Sequence, residues 1–108
     1  MSKIELQDFV QFGRLFEVYG GLLSNDRQKI MTDYFQFNMT LAEIAKERSI
    51  SRQAVLDAVD KSCQKLKEYE QILGVCVKTE NLKQKLMKLQ AETSGEIKEK
   101  VEEILKEI

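Results

Sequence analysis

The chain has 108 residues, with 17 Lys/Arg against 18 Asp/Glu, a net charge of −1, no His, no Pro and two Cys. Such a near-neutral balance excludes a uniformly basic domain that coats nucleic acid by charge alone. The lack of His excludes mixed Cys/His zinc patterns and removes the commonest general base, so no metal, no cofactor and no enzymatic activity are expected.

The N-terminal run MSKIELQDFVQF carries acids and no uninterrupted apolar core, unlike a secretory signal. A first helix is predicted from about Ile4 to Leu23, because Phe9, Phe12, Phe16, Tyr19 and Leu23 recur at helical steps. Gly20-Gly21 interrupts the pattern, and the persistence of the stripe to Leu23 favours a helix that continues through the pair. Ser24 then reads as a helix cap, and Ile30, Met31, Tyr34 and Phe35 form the apolar face of a second helix. After the connection Phe37-Asn38-Met39, Thr40 caps a third helix, and Glu43 three residues on completes a capping box.

Residues 40–59, TLAEIAKERSISRQAVLDAV, have the spacing of a helix-turn-helix, the two-helix unit that sets its second helix in the DNA major groove. Leu41, Ile44 and Ala45 line one face of its first helix, and Ile50 sits in the turn. Ala54, Val55, Ala58 and Val59 are expected to line the second helix, behind a cap at Ser51. Two positions depart from the usual pattern: Ser49 stands where Gly is common, and Arg48 where an apolar residue is common. The fourth helix is long. Val55, Val59, Ser62, Leu66, Tyr69 and Leu73 make a coiled-coil-like seam, and Gly74 supplies a stop.

Beyond Gly74 the apolar run Val75-Cys76-Val77 precedes a helix from about Thr79 to Gln90, with Leu82, Leu86 and Leu89 inward. Thr93-Ser94-Gly95 breaks it. A last helix, Gly95 to Ile108, carries the stripe Val101, Ile104, Leu105 and Ile108, and a charged face with Glu96/Lys100 and Glu102/Lys106 at i, i+4. That stripe serves equally for packing on the domain or for a dimer arm. Residues 1–74 are therefore read as a helix-turn-helix domain and 75–108 as a C-terminal helical extension. Cys63 and Cys76 read as small core residues in a reducing compartment. No stretch approaches the ~20 apolar residues of a membrane span, so a cytoplasmic protein with no membrane partner is expected.

The outward face of the recognition helix begins Ser51, Arg52, Gln53 and Leu56. Ser51 would offer its first amides to a phosphate. Arg52 and Gln53 would read bases or anchor phosphates, and Leu56 would touch an apolar base edge. Lys61 and Lys65 would meet the DNA backbone, with Thr40 at the start of the preceding helix completing the nucleic-acid-binding set. Within 51–67, Arg52, Lys61, Lys65 and Lys67 face only Asp57 and Asp60, a local balance of +2. A dimer would double such a weak footprint, and a homodimer is expected.

With these motifs in place, the chain resembles the YlxM family, small bacterial helix-turn-helix proteins linked to the signal recognition particle pathway. The likeness runs through LFEVYGGLLSNDRQ (Leu15–Gln28), YFQFNMTLAEIAKERSISRQAVLDAV (Tyr34–Val59) and LKEYEQIL (Leu66–Leu73), with Ser51–Val55 and Tyr69-Glu70 the most specific pieces. It implies an all-α fold whose helix-turn-helix core is similar to region four of bacterial sigma factors. It also implies a DNA-binding regulatory role or, alternatively, a protein-interaction module that binds a component of the particle without reading DNA. Three positions depart from the family pattern: Gly20-Gly21 where small non-Gly residues are usual, Asn25 where an acid is common, and Leu56 where an aromatic is common.

Overall fold

The computed structural model describes residues 6–108. Among them are six α-helices and no strand: α1 (Leu6–Tyr19), α2 (Asn25–Phe35), α3 (Leu41–Arg48), α4 (Arg52–Leu73), α5 (Val75–Glu92) and α6 (Gly95–Leu105). The chain divides into two compact units, one ending at Leu73 and the other spanning Gly74–Ile108.

In the first unit, α1, α2 and α3 all pack on α4. The core joins Leu15, Phe16, Tyr19 and Leu23 to Ile30, Met31, Ile44 and Ala45 around the α4 stripe Val55, Leu56, Val59, Cys63 and Leu66. Each Val, Leu, Ile, Phe or Met among them contributes roughly 1.5–3 kcal/mol when fully buried. An aromatic cluster extends the core at one edge, where Phe9 meets Tyr34 and Phe35, with ring centroids 5.7 and 4.8 Å apart.

The buried face of α4 is rotated from the expected one. Ala54 is exposed and Ala58 half-buried, whereas Leu56 is inside; Cys63 is buried, in line with its reading as a small core residue. Val55, Val59 and Leu66 permit a stripe widened to either side. Burying Leu56 in place of Ala54 removes three more carbons from water, each worth about 0.8 kcal/mol.

The first helix is also shorter than expected. It stops at Tyr19, and Gly20–Leu22 form a 3₁₀ turn. Its expected start at Ile4 lies outside the described residues. Gly20 is buried so closely against Phe16 that a Cβ there would lie 2.7 Å from the ring. The turn is closed by Gln28, whose amide donates to the Leu23 carbonyl at 2.7 Å.

Caps at the next helices follow local chemistry. Ser24 Oγ accepts from the Arg27 amide, and Thr40 with Glu43 forms a complete capping box. A tie between α2 and α3 goes beyond local chemistry: Arg48 Nε and Nη2 donate to Asp33 Oδ2 at 2.9 and 2.6 Å. The Asp33 carboxylate is nearly buried, so Arg48 compensates a charge that would otherwise be costly in the interior.

In the second unit, α5 begins at Val75, directly after Gly74 with φ +61. The Val75-Cys76-Val77 run is thus the first turn of the helix and does not precede it. Leu86 is half-buried, but Leu82 and Leu89 are exposed, contrary to the inward placement expected for all three. On α6, Val101 is buried, and Glu102 accepts a 3.2 Å hydrogen bond from the Gln90 amide.

Candidate nucleic-acid interface

The geometry of residues 40–59 is set by how α3 ends. Ser49 adopts φ 57 and ψ 41, the left-handed conformation in which Gly is usual. This reversal lets the Ser49 amide donate to the Lys46 carbonyl and the Ile50 amide donate to the Ala45 carbonyl at 3.1 Å. Two terminal carbonyls of α3 are satisfied in this way, and the chain turns into α4. Ser51 caps that helix, its Oγ accepting from the Ala54 amide at 3.0 Å. No acid occupies the first turn of α4, so its exposed amides keep their positive end toward solvent.

The seven residues expected at the interface do not form one surface. Gln53, Lys61 and Lys65 are exposed and share an outward line on α4, at four-residue steps that also include Asp57. Lys61 lies eight residues beyond Gln53, about 12 Å along the helix. Arg52 is exposed in the first turn, but it sits about 100° around the axis from Gln53, above Leu56. Leu56 is a correction: at 8% exposure it belongs to the core and cannot touch a base edge. Its four-residue spacing from Arg52 looked like an outward stripe, but the domain closes over that side below the first turn.

The polar members are already engaged within the protein. Gln53 Nε2 donates to Asp57 Oδ1 at 3.0 Å, which leaves the amide oxygen and a second N–H for a ligand. Thr40 Oγ1 accepts from the Glu43 amide at 3.1 Å. Glu43 Oε1 in turn accepts from the Thr40 amide at 3.0 Å. Hydrogen bonds from the Thr40 backbone and side chain hold the Glu43 carboxyl below the usual carboxylate range. A carboxylate therefore stands beside Thr40. Lys67 contributes little to the outward charge, because its Nζ lies 5.8 Å from the Phe12 ring centroid, between α1 and α4.

Sequence periodicity gave no sign of two pairs that fix this frame, Arg48 with Asp33 and Tyr19 with Glu70. Arg48 at a normally apolar position was the one available signal for the first. Cys63 offers no nucleophile, since burial pushes its thiol up to about 12. Among the described residues no group of three or more Cys, Asp or Glu is arranged to hold a metal ion, and no helix is long and apolar enough to cross a membrane.

Comparison with known proteins places the whole arrangement. Residues 6–108 match the family model UPF0122, described as "Putative helix-turn-helix protein, YlxM / p13 like". A UPF0122 protein of Fusobacterium nucleatum is 33% identical over 100 residues, covering 93% of this chain and 97% of its own. One from Clostridium perfringens is 30% identical, covering 95% and 97%. YlxM of Bacillus subtilis is 32% identical over 92 residues, covering 85% and 84%. With the left-handed turn at Ser49, the capped helices on either side of it and a match along nearly its full length, this chain belongs to the YlxM / p13-like family of helix-turn-helix proteins.

Proposed function

We propose that this protein is a DNA-binding regulator, connected with the signal recognition particle pathway as the family resemblance implies, and that it acts in the cytoplasm as a homodimer. The observation that carries the reading is the first turn of α4. It follows the turn at Ser49, is capped by Ser51, lacks acids and presents Arg52 and Gln53 at its open end. In this role Gln53 and Arg52 meet base edges or phosphates, the helix end capped by Ser51 offers its amides to a phosphate, Thr40 stands at the start of the preceding helix, and Lys61 and Lys65 follow the backbone. Two copies related by a two-fold axis would present two such helices to half-sites about one DNA turn apart.

A second reading rests on Asp57 and Asp60, both exposed on α4. They repel phosphate and suit a protein partner, namely a component of the signal recognition particle bound without DNA readout. Titration of a pooled duplex library by gel shift at two salt concentrations separates the two. DNA binding gives a shift at low salt that weakens steeply as salt rises, whereas the protein-partner reading gives no shift with any duplex at either concentration. Absence of any shift at low salt would leave the protein-partner reading in its place.

A further inference from the structure

The Gly74–Ile108 unit is an antiparallel hairpin of an 18-residue and an 11-residue helix whose only fully buried side chain is Val101. A unit this small does not hold two helices together on one buried valine, and units below about 40 residues ordinarily need a metal, a disulfide or a partner. The missing apolar contact is visible on its surface. Leu82 and Leu89 are 48% and 43% exposed, and Ile97, Ile104 and Ile108 are 58%, 45% and 41% exposed. Leu82 and Leu89 are seven residues apart on α5, as are Ile97 and Ile104 on α6, so each helix shows one apolar line.

Both lines lie on the same face of the hairpin. On α5 the residues turned toward α6 are Leu86 and Gln90, and on α6 those turned toward α5 are Val101 and Glu102. At about 100° per residue, each exposed line lies roughly a quarter-turn from its contact side in the same rotational sense. Because the two helices run in opposite directions, equal rotations bring the two lines to one face.

We propose that this face docks on the same face of a second copy of the chain, forming an antiparallel four-helix bundle. The charges select that occupant. From Val75 to Glu92, α5 has four lysines and two glutamates, a balance of +2; from Gly95 to Leu105, α6 has four glutamates and two lysines, a balance of −2. A two-fold axis parallel to the helices sets α5 of each copy over α6 of the other, so opposite charges meet on both edges. Such a surface is complementary to itself, and it has no excess of either sign for a nucleic acid or an anionic membrane.

The inference rests on the dimeric reading above and is independent of DNA as the ligand. Sedimentation velocity of the full chain at high micromolar concentration should give twice the chain mass of 12.5 kDa. The double variant Leu82→Glu/Ile104→Glu alters only exposed positions; it should keep the wild-type helical circular dichroism and sediment as a monomer. A charge exchange tests the pairing without touching the apolar face. Lys78→Glu/Lys85→Glu and Glu96→Lys/Glu103→Lys should each dimerise at least about tenfold more weakly, and an equimolar mixture should recover the dimer as a heterodimer. A monomeric wild type overturns both the hairpin interface and the dimeric reading. A dimeric wild type whose Leu82/Ile104 variant stays dimeric, or whose charge variants do not rescue each other, overturns the hairpin interface alone. If the Leu82/Ile104 variant loses helicity, the charge exchange decides.

Discussion

The hydroxyl of Tyr19, at the last residue of α1, donates to Glu70 Oε1 at 2.5 Å across 51 positions of sequence, while its ring lies 6.1 Å from that of Tyr69. Tyr19 is 3% exposed, so its hydroxyl has little access to water. A hydrogen bond to a charged group contributes about 1.5–3 kcal/mol. Tyr19→Phe should therefore lower stability by about 1–2 kcal/mol, read as a lower urea midpoint at unchanged slope. Glu70→Gln, which keeps an acceptor, should cost less. Equal losses for the two variants would contradict this account of the pair.

Gly20 and Gly21 should respond to alanine with opposite signs. A Cβ on Gly20 meets the Phe16 ring at 2.7 Å, so Gly20→Ala forces that ring to move and should cost about 1–3 kcal/mol. Gly21 has open space and a φ outside the left-handed region, so Gly21→Ala should gain up to about 1 kcal/mol through the unfolded chain. Thermal melts of the two single variants check the pair of signs. A helix continuing through both glycines would instead have made both substitutions stabilising.

Ser49 holds a conformation that costs an L-residue roughly 1–2 kcal/mol and glycine almost nothing. Part of the gain from Ser49→Gly is returned as unfolded-state entropy, so the net stabilisation should be about 0.5–1 kcal/mol. Ser49→Val, β-branched in the same position, should destabilise by more than 1 kcal/mol, approximately. Chemical denaturation of both variants tests the turn that sets α3 against α4.

Cys63 links stability to alkaline pH. Burial, helped by the charge of Asp60, raises its thiol from an ordinary value of 9.0 to about 12. Between those values the unfolded chain releases this proton and the folded protein keeps it. The unfolded state then binds fewer protons, and stability falls as pH rises, by at most about 1.4 kcal/mol per pH unit. Denaturation midpoints from about pH 8 to about pH 10.5 should decline more steeply for the wild type than for Cys63→Ala. Burial, the largest cause of the raised Tyr34 hydroxyl, is common to both proteins, and the smaller part due to Cys63 adds to the difference in the same direction.

On the outward line of α4, charge should govern affinity and the first turn should govern sequence preference. Arg52→Ala should cost about 1–3 kcal/mol of DNA binding and relax specificity. Lys61→Ala should weaken all sequences alike and reduce the salt slope by about one. Asp57→Asn removes a carboxylate from the same line and should strengthen binding to every duplex. Gel-shift titrations at two salt concentrations distinguish these three effects, and an unchanged affinity for Asp57→Asn would favour the protein-partner reading.

What could be read from the sequence was local chemistry. Ser24, Thr40 and Ser51 were recognisable as caps because the bonds they make lie within three residues along the chain. The exposure of Gln53, Lys61 and Lys65 followed from the same short-range spacing. The face of α4 was less legible, since an apolar stripe through Val55 and Val59 can widen toward Ala54 or toward Leu56, and only packing from α1, α2 and α3 chooses. The need for glycine at position 20 was not legible, because what excludes a Cβ there is the packing of the Phe16 ring. Val75–Val77 looked like a separate run because nothing before it announces a helix starting one residue after a left-handed glycine. Arg48 with Asp33 and Tyr19 with Glu70 are pairings between distant segments, which no periodicity encodes.

The division of labour around α4 has an evolutionary consequence. One side of the helix is committed to the core through Val55, Leu56, Val59, Cys63 and Leu66, so its axis and rotation are fixed by residues that never meet a ligand. The opposite side, from Gln53 through Asp57 and Lys61 to Lys65, is exposed, and substitutions there cost the fold little, usually within about 0.5 kcal/mol. Recognition can therefore drift, be lost or be redirected to another kind of target while the scaffold stays the same. Relatives that share this core by descent need not share what they bind.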